Sequence, residues 1–315
     1  MRFVTYHYVR PSPDRPPHGY YHLSLADFRR QLDRLDAEYD LLDRATFLDC
    51  VRGHSSPPDD ALVLTFDDGL ADHAEWVVPE LTARDLFGVF FVPTGPLVGE
   101  GVLPVHRVHA LAGRHGGTDL RDALVEVCRE YGLADDGASG ASGDDPYAGR
   151  ETDDALTTFK RVLNFEVPYA LLGDVLGDLE RRFGTAPSAD EYYCSRDQLR
   201  AIRDAGMVVG AHSVGHPVLS RLAETDQHEE ITDSFGTLAD VLGDHPAKLF
   251  AYPYGTERTF TSETRALLDA VGCDAAFTTV SGEASESDLR NRSLAVPRMD
   301  CNEFPHGGAT FDLSP

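Results

Sequence analysis

Short apolar runs recur along the chain, separated by stretches in which apolar residues return every three or four positions. Short runs rich in β-branched and aromatic residues predict strands, and the longer spacing predicts amphipathic helices. Capping signals mark helix starts, as in Ser24-x-x-Asp27 and Ser195-x-x-Gln198. The predicted strands are Phe3–Tyr8, Ala61–Phe66, Phe87–Val92, Met207–Ala211, Lys248–Tyr252, Ala275–Thr279 and Leu294–Arg298.

Strands that alternate with helices pair in parallel, either in a doubly wound sheet or in a barrel. About seven predicted strands favour an α/β barrel. Residues 103–190 interrupt the alternation, because they show helical patterns only. Within them, residues 131–150 are rich in Gly, Ala, Ser and Asp and can bury little surface. We therefore predict a single domain over residues 1–315, with a helical insertion at 103–190 that carries a flexible loop at 131–150.

The chain is strongly acidic. Its 315 residues include 53 Asp and Glu and 28 Lys and Arg, which gives a formal net charge of −25 at pH 7. A nucleic-acid binder needs a basic face that displaces counterions, so this balance argues against nucleic acid as a partner. Dispersed negative charge repels itself unless salt screens it, which indicates a halophilic protein. An acidic proteome at ordinary salinity is the alternative interpretation.

The five cysteines are widely spaced and form no CxxC or CxxxC pair. Such spacing fits neither a disulfide framework nor a thiolate zinc site, so we expect reduced, mostly buried cysteines. The N-terminal residues enter a predicted strand at once, without a signal-peptide pattern, and no apolar run is long enough to span a bilayer. A cytoplasmic protein without a membrane span is the expectation, and the sequence leaves its oligomeric state open.

The predicted strand Ala61–Phe66 ends in two carboxylates, Asp67 and Asp68, followed by Gly69. In a barrel of this kind the active site gathers at the C-terminal ends of the strands, so both carboxylates are expected at that rim. Adjacent carboxylates repel each other unless a cation or a proton intervenes. This indicates a metal ligand beside a general base. The alternative is an Asp-Asp-Gly turn without chemistry.

Two histidines, His212 and His216, follow the predicted strand Met207–Ala211. At positions i and i+4 they are expected on one face of a helical turn, close enough to bind a single ion, and neutral imidazole suits zinc and its neighbours. The pair alone is a weak signal in a chain with 13 histidines. Together with Asp68 it predicts two nitrogen ligands and one carboxylate, which leave open positions for water and substrate.

A third strand, Lys248–Tyr252, runs into Pro253-Tyr254-Gly255. Proline has no N–H and a fixed φ, so the next free amide is that of Tyr254, and Gly255 permits a sharp turn. A rigid backbone N–H at the rim can stabilise an oxyanion. An aromatic-rich turn is the alternative for this motif taken alone.

The Asp-Asp-Gly, His-x-x-x-His and Pro-Tyr-Gly motifs, in this order, resemble the polysaccharide deacetylase family, also called the NodB-homology or carbohydrate esterase family 4 domain. The resemblance implies a distorted (β/α)7 barrel, TIM-like in outline, that removes N-acetyl groups from amino sugars with one divalent metal ion, usually zinc. It further implies that Asp67 is the general base and that the Tyr254 amide is an oxyanion donor. The metal ligands that it implies are Asp68, His212 and His216.

The chain departs from the family pattern at three motifs. Ala251 stands where many members have the arginine that orients the base. The Asp-x-x-Asp-Trp motif is absent, and no C-terminal Leu-x-His supplies a general acid. The segment Thr5–Val9, with Tyr6-His7, is similar to the first strand of circularly permuted members such as poly-N-acetylglucosamine deacetylases, in which the histidine is the acid. His7 is therefore expected to protonate the leaving amine, or else to pack as a half-buried strand residue. Arg298 is a candidate to replace the missing arginine by pairing with Asp67.

These observations predict a metal-dependent hydrolase that removes N-acetyl groups from an amino sugar of a polysaccharide, an oligosaccharide or a glycan precursor. Two alternatives remain open at this stage. One is a hydrolase of another non-peptide C–N bond, such as a cyclic amide. The other is a catalytically silent carbohydrate-binding domain, because fold-level similarity under-determines function.

Overall fold

A computed structural model of the chain describes residues 1–11, 20–133, 153–243, 247–290 and 294–308. The chain divides into two compact units. The first comprises Met1–Pro13, His22–Gly101 and Ala189–Thr310, and the second comprises Asp14–Tyr21, Val102–Ser188 and Phe311–Pro315. All the predicted site residues belong to the first unit.

The first unit is built on parallel strands. They are β1 (Arg2–Tyr6), β2 (Val9–Arg10), β3 (Leu23–Ser24), β4 (Asp40–Leu41), β5 (Ala61–Phe66), β6 (Gly88–Val92), β7 (Val208–Ala211), β8 (Leu249–Ala251), β9 (Ala275–Phe277) and β10 (Met299–Asp300). Within the described residues, eight of them form one sheet in the order β10-β1-β5-β6-β7-β8-β9, with β4 added on β5, while β2 pairs with β3. A bridge from Phe277 to Val296 links β9 to the segment that enters β10. The sheet therefore curls into the predicted distorted (β/α)7 barrel, and the fold prediction is confirmed.

Helices follow the strands as the sequence pattern predicts. Those of the first unit are α1 (Leu25–Glu38), α2 (Arg44–Val51), a π-helix (His73–Val77), α3 (Val78–Ala83), α8 (Ala189–Tyr192), α9 (Arg196–Asp204), α10 (Glu224–Leu242), α11 (Ser262–Ala270) and α12 (Glu286–Arg290), with 3-10 turns at Gly95–Val98, Leu219–Arg221 and Cys301–Glu303. The Ser24 hydroxyl accepts a hydrogen bond from the Asp27 amide at 3.0 Å and caps α1. Ser195 and Gln198 form the predicted capping box at the start of α9.

Aromatic rings from three strands fill one face of the curled sheet. The ring centroid of Phe277 lies 5.0 Å from that of Phe3 and 5.3 Å from that of Phe91. Val63 of β5 belongs to the same buried cluster. Side chains alternate along a strand, so residues 63, 65 and 67 follow one another on this face. The general-base candidate Asp67 thus continues the line of a fully buried core strand.

Most predicted strands agree with the observed ones to within two residues, and two of the differences concern site residues. β1 ends at Tyr6, so His7 lies just beyond the strand instead of within it. The predicted strand Leu294–Arg298 was wrong, because only Val296 forms a bridge there and the strand β10 begins at Met299. Pro297 has no N–H for a ladder hydrogen bond, and the Arg298 amide bonds to the Val280 carbonyl at 3.1 Å instead.

The second unit contains helices and no strand among its described residues. They are α4 (Pro104–Ala112), α5 (Gly117–Glu130), α6 (Asp154–Arg161), a π-helical turn (Val162–Glu166) and α7 (Tyr169–Phe183). Arg107 of α4 donates two hydrogen bonds to Glu180 of α7, at 2.8 and 2.7 Å, and so joins two of these helices. Most of the predicted flexible loop 131–150, from residue 134 onward, lies outside the described residues. In the described part of the chain, no helix is both long enough and apolar enough to cross a membrane.

Candidate active site

The candidate site lies where neighbouring parallel strands end. Asp67 and Asp68 follow β5, His212 follows β7, and Tyr254 comes three residues after β8. These strands, with β1 before His7, are consecutive in the sheet apart from the intervening β6. Because parallel strands present their C-terminal ends at the same edge, the topology alone brings these residues to one rim.

Asp68, His212 and His216 form a compact, buried ligand set. One ligand atom from each lies within 4.8 Å of the others. Asp68 Oδ1 is 3.5 Å from His212 Nε2 and 3.5 Å from His216 Nε2. All three residues are at most 8% exposed. Two imidazole nitrogens and one carboxylate oxygen that converge in this way match the ligand set of a catalytic zinc site.

A backbone carbonyl sets the tautomer of His212. His212 Nδ1 lies 2.7 Å from the Ala251 carbonyl oxygen. A carbonyl can only accept, so Nδ1 carries the proton in the neutral ring and Nε2 keeps its lone pair towards Asp68. Burial by itself lowers the pKa of His212, but the hydrogen bond and charge of Asp68, with the charge of Asp67, raise it overall. The residues present therefore fit a divalent metal ion, which would bind at Nε2 in place of a second proton and leave the Nδ1 proton on the Ala251 carbonyl.

The turn between the two histidines is not helical, and the prediction of a shared helical face was wrong. His212 continues from β7, and the following residues form an irregular loop. Ser213 and His216 both adopt positive φ, at 62° and 56°. Left-handed residues interrupt a right-handed helix, so the two rings converge through loop geometry instead of helical spacing.

Sequence reasoning missed Glu230, which holds this loop. One of its oxygens, Oε2, accepts hydrogen bonds from the amides of Val214 and Gly215 at 2.8 and 2.9 Å. The Ser213 hydroxyl accepts from the His216 amide at 3.0 Å. Burial raises the pKa of Glu230 although both amide bonds oppose the shift. Its position on α10 gave no sequence signal, because a glutamate on an amphipathic helix usually faces solvent.

Arg298 lies against Asp67 as a buried bidentate partner. Its Nη1 and Nη2 atoms donate to the two carboxylate oxygens of Asp67 at 2.7 and 2.6 Å. Both residues are 1% exposed. Two further donors of Arg298 are fixed by the Thr278 carbonyl, at 2.9 Å, and by the Thr65 hydroxyl, at 3.2 Å. The predicted pairing is therefore present, with a geometry that allows Asp67 only small movements.

This pairing keeps Asp67 ionised. Burial by itself raises the pKa of Asp67, but the charge and hydrogen bonds of Arg298 outweigh it, and the pKa lies below its ordinary value. The positive charges that His212 and His7 carry when protonated act in the same direction. A carboxylate of this kind can accept a proton at neutral pH without first losing one.

Backbone strain is concentrated at this rim. Asp68 has a φ of 77° and Tyr254 a φ of 61°, in addition to the two residues of the histidine loop. Non-glycine residues rarely adopt such angles, and they persist where surrounding contacts impose them, often at functional sites. Gly69 also has a positive φ, and a Cβ there would meet Val92 at 2.8 Å. The Asp-Asp-Gly turn is thus packed closely against β6.

The Tyr254 segment is held from the neighbouring strand end. The Thr279 hydroxyl donates to the Tyr254 carbonyl at 2.7 Å, and the Thr279 amide donates to the Gly255 carbonyl at 2.8 Å. A Cβ on Gly255 would lie 2.6 Å from the Thr279 nitrogen, which explains why glycine is required there. The Tyr254 ring is 5.0 Å from that of His216, so the segment borders the ligand set.

His7 is half-buried directly after β1. Its backbone carbonyl accepts a hydrogen bond from His73 Nε2 at 3.0 Å. Its ring is near enough to Asp67 for its charge to affect the pKa of that carboxyl group. Sequence reasoning missed His73, although it stands only four residues after the Asp-Asp-Gly turn.

Part of the chain matches the model of a known protein family. The model of the polysaccharide deacetylase family matches residues 181–276, a segment that contains His212, His216 and Tyr254. No curated protein matches the sequence.

Solved structures resemble nearly the whole chain. The deacetylase PplD of Streptococcus pyogenes, in complex with acetate, is 16% identical with a TM-score of 0.57, and the match covers 95% of this chain and 91% of PplD. IcaB from Ammonifex degensii is 19% identical with a TM-score of 0.54, at 95% and 91% coverage. The deacetylase domain of BpsB from Bordetella bronchiseptica is 14% identical with a TM-score of 0.55, at 95% coverage of each chain. At these identities the likeness shows a shared fold. The family match on that fold confirms the predicted resemblance to polysaccharide deacetylases, and it indicates a hydrolase that acts on non-peptide carbon–nitrogen bonds.

Proposed function

We propose that the protein is a metal-dependent N-deacetylase of an amino sugar. The observation that supports this most strongly is that two adjacent carboxylates at the end of β5 have different partners. Asp68 faces two histidines, whereas Asp67 faces Arg298. One carboxylate is thus placed to bind a cation and the other to accept a proton, which is the division of labour that hydrolysis of an amide requires.

Asp68, His212 and His216 would hold one divalent ion, and zinc fits the donor set. When bound, the ion supplies a Lewis acid that polarises the acetyl carbonyl and acidifies water. Asp67 accepts the proton of the attacking water, and Arg298 keeps the carboxylate ionised and oriented. The Tyr254 amide donates to the oxyanion that develops on the carbonyl oxygen.

His7 completes the reaction on the leaving-group side. An amine is a poor leaving group unless its nitrogen is protonated, so deacetylation needs a general acid. Imidazole has an ordinary pKa near 6.5, which suits donation at neutral pH. His7 is the histidine at the rim that does not belong to the ligand set, and its partial exposure lets it take up a new proton from water after each turnover.

The family match supports an N-acetylated amino sugar as the substrate class, with the acetyl group as the reacting part. Mass spectrometry of N-acetylated glucosamine oligomers after incubation with the protein, with and without a chelator, tests the activity. We expect zinc-dependent loss of acetyl groups with release of acetate. Hydrolysis of a cyclic amide without acetate release, or binding of the oligomers without turnover, would contradict the proposal.

Asp67→Asn tests the role of the base. The amide is nearly isosteric but cannot accept the proton, so we expect turnover to fall by roughly 10²-fold or more. The zinc content should remain close to one ion per chain, because Asp67 is not a ligand in this assignment. The matched control is Asp68→Asn, in which zinc affinity should fall first. Near-normal turnover in Asp67→Asn would show that the base is another group.

A further inference from the structure

His73 is a buried polar side chain in aromatic surroundings. It begins the π-helix His73–Val77 and is 0% exposed. Its ring makes edge contacts with Phe66 and Phe90, with centroids 5.7 and 5.6 Å away. A polar group in such a place costs free energy unless it is hydrogen-bonded, and π-helical turns frequently occur at functional sites. The position therefore requires an explanation other than packing.

The hydrogen bond of His73 gives that explanation. Nε2 lies 3.0 Å from the carbonyl oxygen of His7. Since that oxygen can only accept, Nε2 carries the proton, while Nδ1 is buried without a hydrogen-bond partner among the described residues. Burial lowers the pKa of His73 to about 4, so the ring is neutral at physiological pH. His73 thus serves as a permanent single donor to the backbone of residue 7.

The residue before His73 holds the other end of the same segment. Asp72 accepts a hydrogen bond from Arg10 Nε at 2.7 Å, within a pair that is 8% and 5% exposed. Asp72 also accepts from the Val9 amide. Consecutive residues 72 and 73 therefore fix the chain from His7 to Arg10 at both of its ends.

A third contact relates this segment to the base. The Asp67 amide donates to the Tyr6 carbonyl at 2.9 Å, directly before His7. Residues 67–73 therefore carry the base and one metal ligand and also hold residues 6–10 by three separate connections. Through them, the distance between Asp67 and the backbone of His7 is set by one short stretch of chain.

We propose that His73 is a positioning residue that aims His7 at the leaving group. The inference rests on the proposed role of His7 as the general acid. His73 does not touch the substrate. It fixes the carbonyl of residue 7, and thereby the direction in which the imidazole leaves the backbone at the rim.

A series of aryl acetates with leaving-group pKa values between about 7 and 10 provides the test, because a general acid matters more as the leaving group becomes more basic. The variant is His73→Phe, since a phenyl ring fits beside Phe66 and Phe90 but cannot donate. We expect the plot of log kcat/KM against leaving-group pKa to become steeper than in the wild type, with roughly a tenfold additional loss at the most basic phenol. Zinc content should be unchanged, and His73→Gln, which restores an N–H donor, should recover part of the loss.

His7→Gln in the same series separates the two hypotheses. A steeper plot for His7→Gln together with an unchanged slope for His73→Phe would overturn the positioning role and leave the acid assignment intact. An unchanged slope for His7→Gln would instead remove the acid assignment itself. A loss in His73→Phe that is equal for all leaving groups would indicate a purely structural role and overturn the inference. If His73→Phe does not fold, His73→Met, which is apolar and more adaptable, takes its place.

Discussion

The two proton-handling sides of the site are built in opposite ways. Asp67 is 1% exposed and is gripped by two charged hydrogen bonds from Arg298. His7 is half-buried, and the contact that fixes it goes to its backbone, from the neutral ring of His73. A side-chain ion pair thus holds the base, whereas a backbone hydrogen bond holds the acid candidate.

The difference follows from what each group must do. The base must be ionised whenever substrate arrives, so a fixed positive charge next to it is useful at every step. The acid must lose a proton and regain it in each cycle, and a permanent countercharge on its ring would hold it in one state. The hydrogen bond from His73 sets the direction of His7 through its backbone, without an ion pair on the ring.

Breaking the ion pair between Arg298 and Asp67 should have the largest effect. Arg298→Met leaves Asp67 buried without a partner, which costs about 3–5 kcal/mol of unfolding free energy. The remaining carboxyl group should become protonated, because burial raises its pKa when the charge of Arg298 is gone. We expect activity to fall by roughly 10²-fold or more at neutral pH. Urea unfolding and acetate release measure the two effects.

A double variant shows whether the pair itself is responsible. Arg298→Met combined with Asp67→Asn removes both charges of this pair, so it should be more stable than Arg298→Met alone. Arg298→Lys keeps the charge but loses the two-pronged geometry, and it should lie between the wild type and Arg298→Met. If all three variants unfold at the same urea concentration as the wild type, the ion pair does not stabilise this side of the site.

On the side of the acid candidate, the stability that His73 contributes should depend on pH instead. The pKa of His73 falls from an ordinary 6.5 to about 4 in the folded protein, so the unfolded chain binds a proton more readily. The contribution of His73 to stability is therefore complete above pH 6.5, declines as the pH falls towards 4, and changes no further below that. At about 1.4 kcal/mol per pKa unit, the loss is about 3 kcal/mol.

In the His73→Phe variant, residue 73 cannot bind a proton in either the folded or the unfolded state. In metal-free protein, the urea stability of this variant should fall less than that of the wild type between pH 7 and pH 4. Because all other titrating groups are common to both proteins, the difference between the two curves isolates His73. Parallel curves would mean that His73 is not buried as a neutral ring.

The sequence predicts the parts of the site that follow from strand ends. The run Ala61–Phe66 is observed as β5 with the same bounds, and the topology of parallel strands then brings Asp68 and His212 together. Local signals sufficed here, because a buried strand, a turn and a capping residue are each determined by neighbours in the chain.

The parts that could not be predicted depend on distant partners. The loop between His212 and His216 takes its left-handed shape with its amides bonded to Glu230, on a helix that follows it. His73, which sequence reasoning missed, lies at the His7 carbonyl across 66 positions of sequence. A helical turn at His212 was the natural expectation from spacing alone, and it failed because spacing contains no information on contacts made by other elements.

Zinc binding tests the ligand set of Asp68, His212 and His216. A ligand at 100 times its Kd stabilises the folded protein by about 2.7 kcal/mol, so zinc should raise the unfolding temperature. His216→Ala should abolish most of that gain. The raised pKa of His212 means that protons compete with the ion, and zinc affinity should therefore decrease as the pH is lowered through that pKa. Calorimetric titrations at several pH values measure this, and an affinity that does not change with pH would argue against His212 as a ligand.

The smallest expected effect concerns the loop that joins the two histidine ligands. Glu230 acts on it through two backbone amides, as His73 acts on the backbone of His7, with both amide bonds on the same carboxylate oxygen. Glu230→Ala removes the acceptor, so the loop should sample other shapes and zinc should bind about tenfold more weakly, or about 1.4 kcal/mol. Glu230→Gln keeps one oxygen that can accept both bonds and should retain most of the affinity. Zinc titration of the two variants compares them directly. An equal loss in both would show that the negative charge of Glu230, and not its hydrogen bonds to the loop, supports the metal centre.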